Sequence, residues 1–316
     1  MTPAHRSRAA QSRAERPAAA LARVVAVATT GALLALGLAA CAADRPATAP
    51  PESASVTAAE SEPPAPTTAP ASIGVALPPA GAAPDYQLGG AYPPAEGVGI
   101  VARDRRDPPA DGIYSICYVN GFQTQPGELA DWPETALLQR GGASVVDPEW
   151  PDEILLDTST PEQRSEILDR VTPWITGCAA DGYHAVEFDN LDSYTRSHGA
   201  LTLEDNLALA AAFVEVAHGA GLAVGQKNAA EDTTALREQA GFDFAVTEEC
   251  AAFRECGTYA AAYGPHVIDI EYTEDSDRTF AELCAQADAP ASMVHRDRDL
   301  TRPGDPSHVF ELCGAR

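Results

Sequence analysis

The chain has 316 residues, of which 46 are acidic and 21 basic, giving a formal net charge of −25 at pH 7. A surface this negative repels nucleic acid and anionic lipid headgroups and favours cationic partners, although an acidic composition could instead serve solubility or salt tolerance. The composition therefore predicts that the protein does not bind nucleic acid.

Residues 1–40 have the layout of a secretory signal, in which an arginine-bearing stretch precedes an uncharged run. The run ends in Leu38-Ala39-Ala40-Cys41, which resembles a bacterial lipobox. That resemblance implies that Cys41 is acylated and becomes the mature N-terminus, so that lipid chains hold the protein at a membrane surface. A transmembrane anchor over residues 24–40 is the alternative. We expect a lipoprotein of the bacterial cell envelope, on the outer face of the cytoplasmic membrane.

Residues 41–84 form a stretch rich in Pro, Ala, Ser and Thr that starts at the acylated Cys41. Such a composition cannot bury a core, and it predicts a disordered, extended tether. The folded part is then residues 85–316, a length that fits a single α/β domain, and we expect a monomer.

Eight short apolar runs in this part predict strands: 97–103, 112–120, 153–157, 183–189, 221–228, 242–248, 266–272 and 291–297. A further run, 85–90, could be a strand or could close the bottom of a barrel. Helical spacing covers 160–182, which Pro173 should kink, and 203–221. Strands that alternate with helices predict parallel pairing and right-handed crossovers, and hence a (β/α)8 TIM barrel.

Six cysteines remain besides Cys41, and an even number in an exported protein suggests up to three disulfides among 15 possible connectivities. One pair would close a small loop, one would tie down the C-terminus, and one pair would remain: Cys250–Cys256, Cys284–Cys313 and Cys117–Cys178. No CxxC or HxxxH spacing indicates a metal site, and no Gly-rich phosphate loop indicates a cofactor.

Acidic residues end several predicted strands, where a barrel of this type carries its active site. In the strand 183–189, Val186 and Phe188 alternate with Glu187 and Asp189, so we expect both carboxylates to point into the barrel mouth. Each of them could instead be a buried structural acid.

Lys227, near the end of the next strand, could pair with Asp189 and hold it ionised, unless it forms only a structural salt bridge. Alternation cannot decide between Glu248 and Glu249, and apolar neighbours would raise the pKa of a partner glutamate. Asp157 ends another predicted strand, and Glu271 is predicted to face the mouth.

Two carboxylic acids across a cleft suit glycosidic cleavage, in which one is protonated and the other ionised. Aromatic side chains near the predicted strand ends offer flat faces for sugar rings, although each could be core packing: Tyr118, Trp150, Tyr194 and Tyr272.

The strings GYHAVEFDNLDSY, GLAVGQKNAAE and FDFAVTEECAAFREC occur in this order. They resemble the motifs of glycoside hydrolase family 114, the endo-α-1,4-polygalactosaminidases, over about residues 112–275. The resemblance implies a (β/α)8 barrel that cleaves α-1,4-linked, galactosamine-containing polysaccharide. It puts the catalytic carboxylates on Asp189 and Glu248, favours Glu248 over Glu249, and matches Tyr118, Lys227 and Asn228.

A partly deacetylated aminosugar polymer carries ammonium groups, which Glu187, Asp192, Asp157 and Glu271 would receive by charge-assisted hydrogen bonds. Asn190 and Tyr194 lie in the same motif and complete the expected substrate-binding set with Tyr272. The segments after Tyr118 and after Asp157 depart from the family pattern. A glycan-binding lipoprotein without turnover, or a hydrolase of another exopolysaccharide, are the alternatives.

Overall fold

The computed structural model describes residues 74–274 and 277–314. The predicted signal, Cys41 and the tether up to residue 73 lie outside the described residues. Within the described ranges, no helix combines the length and the apolar character that a membrane span requires.

Eight parallel strands follow one another around a nearly closed barrel. They are β1 (Ala83–Tyr86), β2 (Val98–Asp104), β3 (Tyr114–Asn120), β4 (Ala185–Asp189), β5 (Ala223–Lys227), β6 (Phe244–Glu248), β7 (Val267–Tyr272) and β8 (Ser292–Arg296). A ninth strand, β9 (Phe310–Leu312), pairs antiparallel with β8. The predicted TIM-barrel fold is confirmed, and the run at 85–90 contributes to the first strand.

The predicted strand at 153–157 is wrong. This segment makes only isolated bridges, Gln123–Leu155, Leu137–Leu156 and Val146–Ile154, within the long connection that follows β3. Leu155 and Leu156 are both fully buried there, and this burial produced the apolar run that resembled a barrel strand.

Six α-helices lie among the described residues: α1 (Pro161–Asp181), α2 (Leu203–Gly219), α3 (Thr233–Ala235), α4 (Cys250–Phe253), α5 (Cys256–Tyr263) and α6 (Phe280–Cys284). Helix α1 begins where the Thr160 side chain accepts a hydrogen bond from the Gln163 backbone N–H, and it ends at Gly182, whose φ is 97°. It continues through Pro173. A capping box between Thr202 and Asp205 starts α2.

The core has two layers, one inside the barrel and one between the strands and the helices. On β4, for example, Val186 and Phe188 pack outward, and the Phe188 ring stacks on Phe213 of α2. Inside the barrel, a Cβ on Gly225 would lie 2.6 Å from the Phe244 ring. Glycine at this position therefore makes room for the interior aromatic side chain.

Three disulfides form with the pairing that loop closure suggested. They tie β3 to α1, α4 to α5, and α6 to the C-terminal segment: Cys117–Cys178, Cys250–Cys256 and Cys284–Cys313, with Cα–Cα distances of 6.1, 4.8 and 5.7 Å.

The folded region begins earlier than the predicted boundary at residue 85. The Tyr114 hydroxyl donates to the Ala76 carbonyl at 2.6 Å, and His266 Nδ1 lies 3.0 Å from the Pro78 carbonyl oxygen. Tyr114 starts β3 and His266 precedes β7, so the segment 74–82 runs across the amino ends of the strands. Side chains of the barrel thus contact carbonyl groups of this segment, and the end of the predicted tether belongs to the folded domain.

A seam between β1 and β8 is bridged by the fully buried side chain of Arg296. Its guanidinium lies 3.1 Å from Asp85 Oδ1, donates to the Thr301 carbonyl at 2.9 Å, and also donates to the Tyr86 carbonyl. The Arg296 side chain therefore makes contacts at this seam in place of the backbone hydrogen bonds that join neighbouring strands elsewhere in the barrel.

Candidate active site

Lys227, the last residue of β5, is the centre of a charged cluster at the carboxyl end of the barrel. Its side chain is 3 % exposed, and its Nζ lies 2.8 Å from Glu248 Oε2 and 3.8 Å from Asp189 Oδ2. Burial alone would lower the pKa of this amine, but the charges of Asp189, Glu248 and Glu187 raise it. Side chains from three neighbouring strands therefore meet around one ammonium group.

Glu248, at the end of β6, accepts hydrogen bonds at both carboxylate oxygens. The Tyr272 hydroxyl donates to Oε1 at 2.5 Å and Asn228 Nδ2 donates to Oε2 at 3.0 Å, while the Glu248 backbone N–H donates to Asn228 Oδ1 at 2.8 Å. Burial opposes ionisation, but Lys227 and these hydrogen bonds lower the pKa of Glu248 to about 2. The sequence predicted a raised pKa here. The prediction was wrong because Lys227 lies closer to Glu248 than to Asp189.

Asp189, at the end of β4, faces the same space from the other side of Lys227. The Tyr118 hydroxyl donates to Oδ2 at 2.8 Å, and the backbone N–H of Asn190 donates to Oδ1 at 2.8 Å. Tyr118 keeps its proton because burial, followed by the charge of Asp189, raises the pKa of the phenol. Asp189 and Glu248 are thus held in fixed orientations toward a common ammonium group.

Glu187 lies one level deeper on β4 and is fully buried, so it does not line the open mouth as a substrate contact. The Tyr86 hydroxyl donates to its Oε1 at 3.0 Å, and Oε2 has no partner among the described residues. Burial, opposed by Lys227 and reinforced by Asp189 and Glu248, raises the pKa of Glu187 to about 8. Glu187 is therefore a mainly neutral acid beneath the charged cluster.

Glu271 was predicted to bind substrate, and the structure corrects this. Its side chain points away from the barrel interior and is fully buried, where its Oε1 accepts the backbone N–H groups of Ala251 and Ala252 at 2.9 and 3.1 Å. The neighbouring Tyr272 points inward to Glu248 instead. Alternation on β7 was read correctly, but the acidic face is the outer one, because the α4 turn offers N–H donors there.

The chain turns sharply directly after each of the three charged residues. Asn190, Asn228 and Glu249 follow Asp189, Lys227 and Glu248, and their φ angles are 61°, 51° and 61°. Asparagine tolerates this left-handed region better than most residues, whereas a glutamate there is strained. The turn carries Glu249 out of the site to Arg298, at 2.9 Å, so Glu248 alone of the two faces Lys227.

Three other predicted contacts have partners outside the Lys227 cluster. Asp157 accepts the Ser159 backbone N–H at 3.0 Å in the turn that precedes α1, so it is a turn residue in the structure and not a strand-end acid. Asp192 forms an ion pair with Arg196 at 2.9 Å. The Tyr194 hydroxyl lies 3.1 Å from both carboxylate oxygens of Asp232. Five members of the substrate-binding set do lie in the cluster: Tyr118 and Asn190 donate to Asp189, and Lys227, Asn228 and Tyr272 contact Glu248.

Sequence reasoning missed the polar neighbours of Asp189 on β3 and on the following connection. Asn120 ends β3 opposite Asp189, and its side chain links Asn190 Nδ2, at 3.0 Å, to Glu153 Oε2, at 2.9 Å. The position of Asn120 at a strand end was the available signal. No signal indicated Glu153, because its segment was assigned to a strand.

One group of residues among those described could geometrically hold a metal ion: Cys250, Cys256 and Asp269. The two cysteines form a disulfide and offer no thiolate, so these residues do not fit a metal site. The cluster at the barrel mouth contains the carboxylates of Asp189 and Glu248, which have different hydrogen-bond partners, together with the Lys227 ammonium group and the neutral phenols of Tyr118 and Tyr272.

A family model described as Glycoside-hydrolase family GH114 matches residues 64–316. The crystal structure of Aspergillus fumigatus Ega3 in complex with galactosamine is similar, with 22% identity and a TM-score of 0.60, covering 76% of this chain and 98% of that one. A variant of the glycoside hydrolase domain of PelA from Pseudomonas aeruginosa is 18% identical with a TM-score of 0.51, covering 73% and 98%. No curated protein sequence matches the chain.

Proposed function

The chain belongs to glycoside hydrolase family GH114, and from that premise we propose that it is an endo-acting hydrolase of α-1,4-linked, galactosamine-containing polysaccharide. We assign catalysis to Asp189 and Glu248. The observation that carries the assignment is the convergence of their carboxylates on Lys227.

The proposed chemistry needs two carboxyl groups that flank one glycosidic bond. Lys227 Nζ lies 3.8 Å from Asp189 Oδ2 and 2.8 Å from Glu248 Oε2, so the two carboxylate oxygens are separated by at most the sum of these distances. That separation is short enough for both groups to flank one sugar linkage. Glu248, with its pKa lowered to about 2, is ionised in the free protein. A substrate group that displaces Lys227 from Glu248 would remove the main stabiliser of that charge and let Glu248 take up a proton.

A galactosamine-containing substrate is supported by the ligand of the similar Ega3 structure and by the charge of this chain. Free amino groups on the polymer are cationic, and a protein with a net charge of −25 attracts them electrostatically. Salt screens this attraction and shortens its range. We expect faster cleavage of deacetylated than of fully acetylated polymer, and rates that fall as salt rises. Equal rates on both, independent of salt, would contradict the cationic substrate.

The test is the release of reducing ends from a panel of purified polysaccharides by wild type, Asp189→Asn and Glu248→Gln. We expect each variant to lose at least about 10²-fold in rate, the lower end of what a positioned acid or base contributes. Both variants should still bind the polymer in affinity electrophoresis.

The outcomes separate the alternatives. A wild type that binds galactosamine polymer without cleaving it indicates a glycan-binding protein. Cleavage of a different polysaccharide in the panel, with loss in both variants, retains the catalytic pair and changes the substrate. Full activity in Asp189→Asn would remove Asp189 from the mechanism.

We also propose that the enzyme acts in the cell envelope, held by lipid on Cys41. The lipobox-like Leu38-Ala39-Ala40-Cys41 supports this. Metabolic labelling with a clickable fatty acid should mark the wild type and not Cys41→Ser. Equal labelling of both proteins would refute the anchor.

A further inference from the structure

A hairpin of the connection between β3 and α1, residues 146–154, here called the rim hairpin, has a fixed tip. Its strands are closed by the Asp147 N–H to Glu153 carbonyl bond at 3.0 Å and the Glu153 N–H to Trp150 carbonyl bond at 2.9 Å. Asp147 Oδ1 also accepts the backbone N–H groups of Glu149 and Trp150, at 2.8 and 3.1 Å. The turn that carries Trp150 is therefore held by its own hydrogen bonds.

The rim hairpin is connected to the loop that follows Asp189. The other oxygen of Asp147 accepts from Gln123 Nε2 at 2.8 Å and lies 2.8 Å from Arg196 Nε. Arg196 in turn donates to Asn190 Oδ1 at 3.1 Å, and Asn190 is the residue directly after Asp189. This chain of contacts fixes the hairpin relative to the catalytic carboxylate.

Glu153 is a carboxyl group of this hairpin with one oxygen unused. Oε2 accepts from Asn120 Nδ2 at 2.9 Å, and within the described part of the chain Oε1 accepts no hydrogen bond. Burial, followed by the charges of Asp189 and Asp147, raises the pKa of Glu153 to about 7, although Asn120 and Arg196 act in the opposite direction. A cation placed at Oε1 would relieve this repulsion and favour the ionised form.

Trp150, three residues before Glu153, is the most exposed large hydrophobic side chain among the described residues, at 58 %. The backbone of this turn is held by hydrogen bonds, and the indole ring that it carries is a flat apolar surface. Such surfaces bind the apolar face of a ring at little conformational cost, because few rotamers are lost. The hairpin thus combines a stacking surface with a carboxyl group that has one oxygen without a hydrogen bond.

We propose that the rim hairpin forms a sugar subsite beside Asp189, in which the Trp150 indole stacks on one aminosugar ring and Glu153 Oε1 receives its ammonium group. This rests on the proposed function, and it adds two residues that determine specificity. Glu153 selects the charged amine, whereas Trp150 binds the ring whether or not the amine is acetylated.

The experiment compares Glu153→Gln, Trp150→Ala and the control Glu149→Gln on two sets of galactosamine oligosaccharides of equal length, one deacetylated and one fully N-acetylated. Glu149 is exposed on the same hairpin, so the control removes one negative charge from the tip. We expect Glu153→Gln to raise KM for the deacetylated set by about tenfold or more, the size of a lost charge-assisted hydrogen bond, and to leave the acetylated set unchanged. Trp150→Ala should raise KM for both sets, and Glu149→Gln for neither.

Binding to the same oligosaccharides by calorimetry separates failure of this subsite from failure of the proposed function. If wild type cleaves neither set, the proposed function fails, yet a selective loss of deacetylated binding in Glu153→Gln still supports the subsite. If Glu153→Gln weakens both sets equally, or matches Glu149→Gln, the subsite proposal is overturned. The stacking is checked in folded protein by tryptophan fluorescence. Addition of oligosaccharide should change the fluorescence of wild type and leave that of Trp150→Ala unchanged.

Discussion

Replacement of Lys227 by methionine tests whether the site is organised by its buried ammonium group. At an effective dielectric constant of about 20, unit charges at 2.8 and 3.8 Å attract by about 6 and about 4 kcal/mol. Desolvation of the 3 %-exposed side chain offsets much of this. Removal of one partner from a buried pair typically costs about 3–5 kcal/mol, because the remaining charges are left uncompensated, and we expect a loss of that size in the free energy of unfolding at pH 7.

The assay is urea-induced unfolding of wild type, Lys227→Met, Glu248→Gln and the double variant. The double variant should recover part of the loss, since Glu248→Gln removes one of the two carboxylates that would otherwise face each other. Lys227 is the only lysine in the sequence, so lysine labelled with ¹³C gives one side-chain NMR signal. That signal should show the amine charged at pH 10.5, where an ordinary lysine is half neutral, because the pKa of Lys227 is raised.

A loss below about 1 kcal/mol, which is the size expected of an exposed ion pair, would refute the reasoning. Strictly additive losses in the double variant would do the same, because they would show that Lys227 and Glu248 do not interact energetically.

Three further variants test the surroundings of the site. The pKa of Glu187 in the folded protein, about 8, lies above its unfolded value, so its contribution to stability is complete below about pH 4.5 and is lost as pH rises through 8. In that pH window the unfolding free energy of wild type should fall by up to about 1.4 kcal/mol per pH unit, and Glu187→Gln should remove this fall, as read from melting curves. Glu271→Ala should lower unfolding free energy by about 1–3 kcal/mol by leaving two N–H groups unpaired, and an altered KM in this variant would reinstate Glu271 as a substrate contact. Removing the disulfide with Cys117→Ala and Cys178→Ala should cost about 2–5 kcal/mol in urea unfolding, and an unchanged midpoint would contradict the bond.

Alternation along a strand could be predicted from sequence, but which face is the interior could not. On β4 the acids Glu187 and Asp189 face the barrel axis, whereas on β7 the acid Glu271 faces outward. Both strands show the same alternation of apolar and acidic residues. The difference depends on the N–H groups of the turn at Ala251, which follows a different strand, and such long-range partners leave no local pattern.

The two errors of segmentation have a similar cause. Leu155 and Leu156 read as a strand because they are buried, yet they are buried under a loop. Residues 74–84 read as tether because of their composition, yet Tyr114 and His266 hold their carbonyl groups. In both cases the deciding partners lie far away in the sequence.

The path of residues 74–82 across the amino ends of β3 and β7 determines from which side the enzyme can be immobilised or fused to another protein. Asp189 and Glu248 end their strands, so they open on the opposite pole of the barrel. A support, fusion partner or fluorophore joined before residue 74 is therefore connected to the end of the barrel opposite the carboxylates. Immobilised preparations built this way keep an unobstructed approach for long polymers, whereas coupling through the rim hairpin would obstruct it.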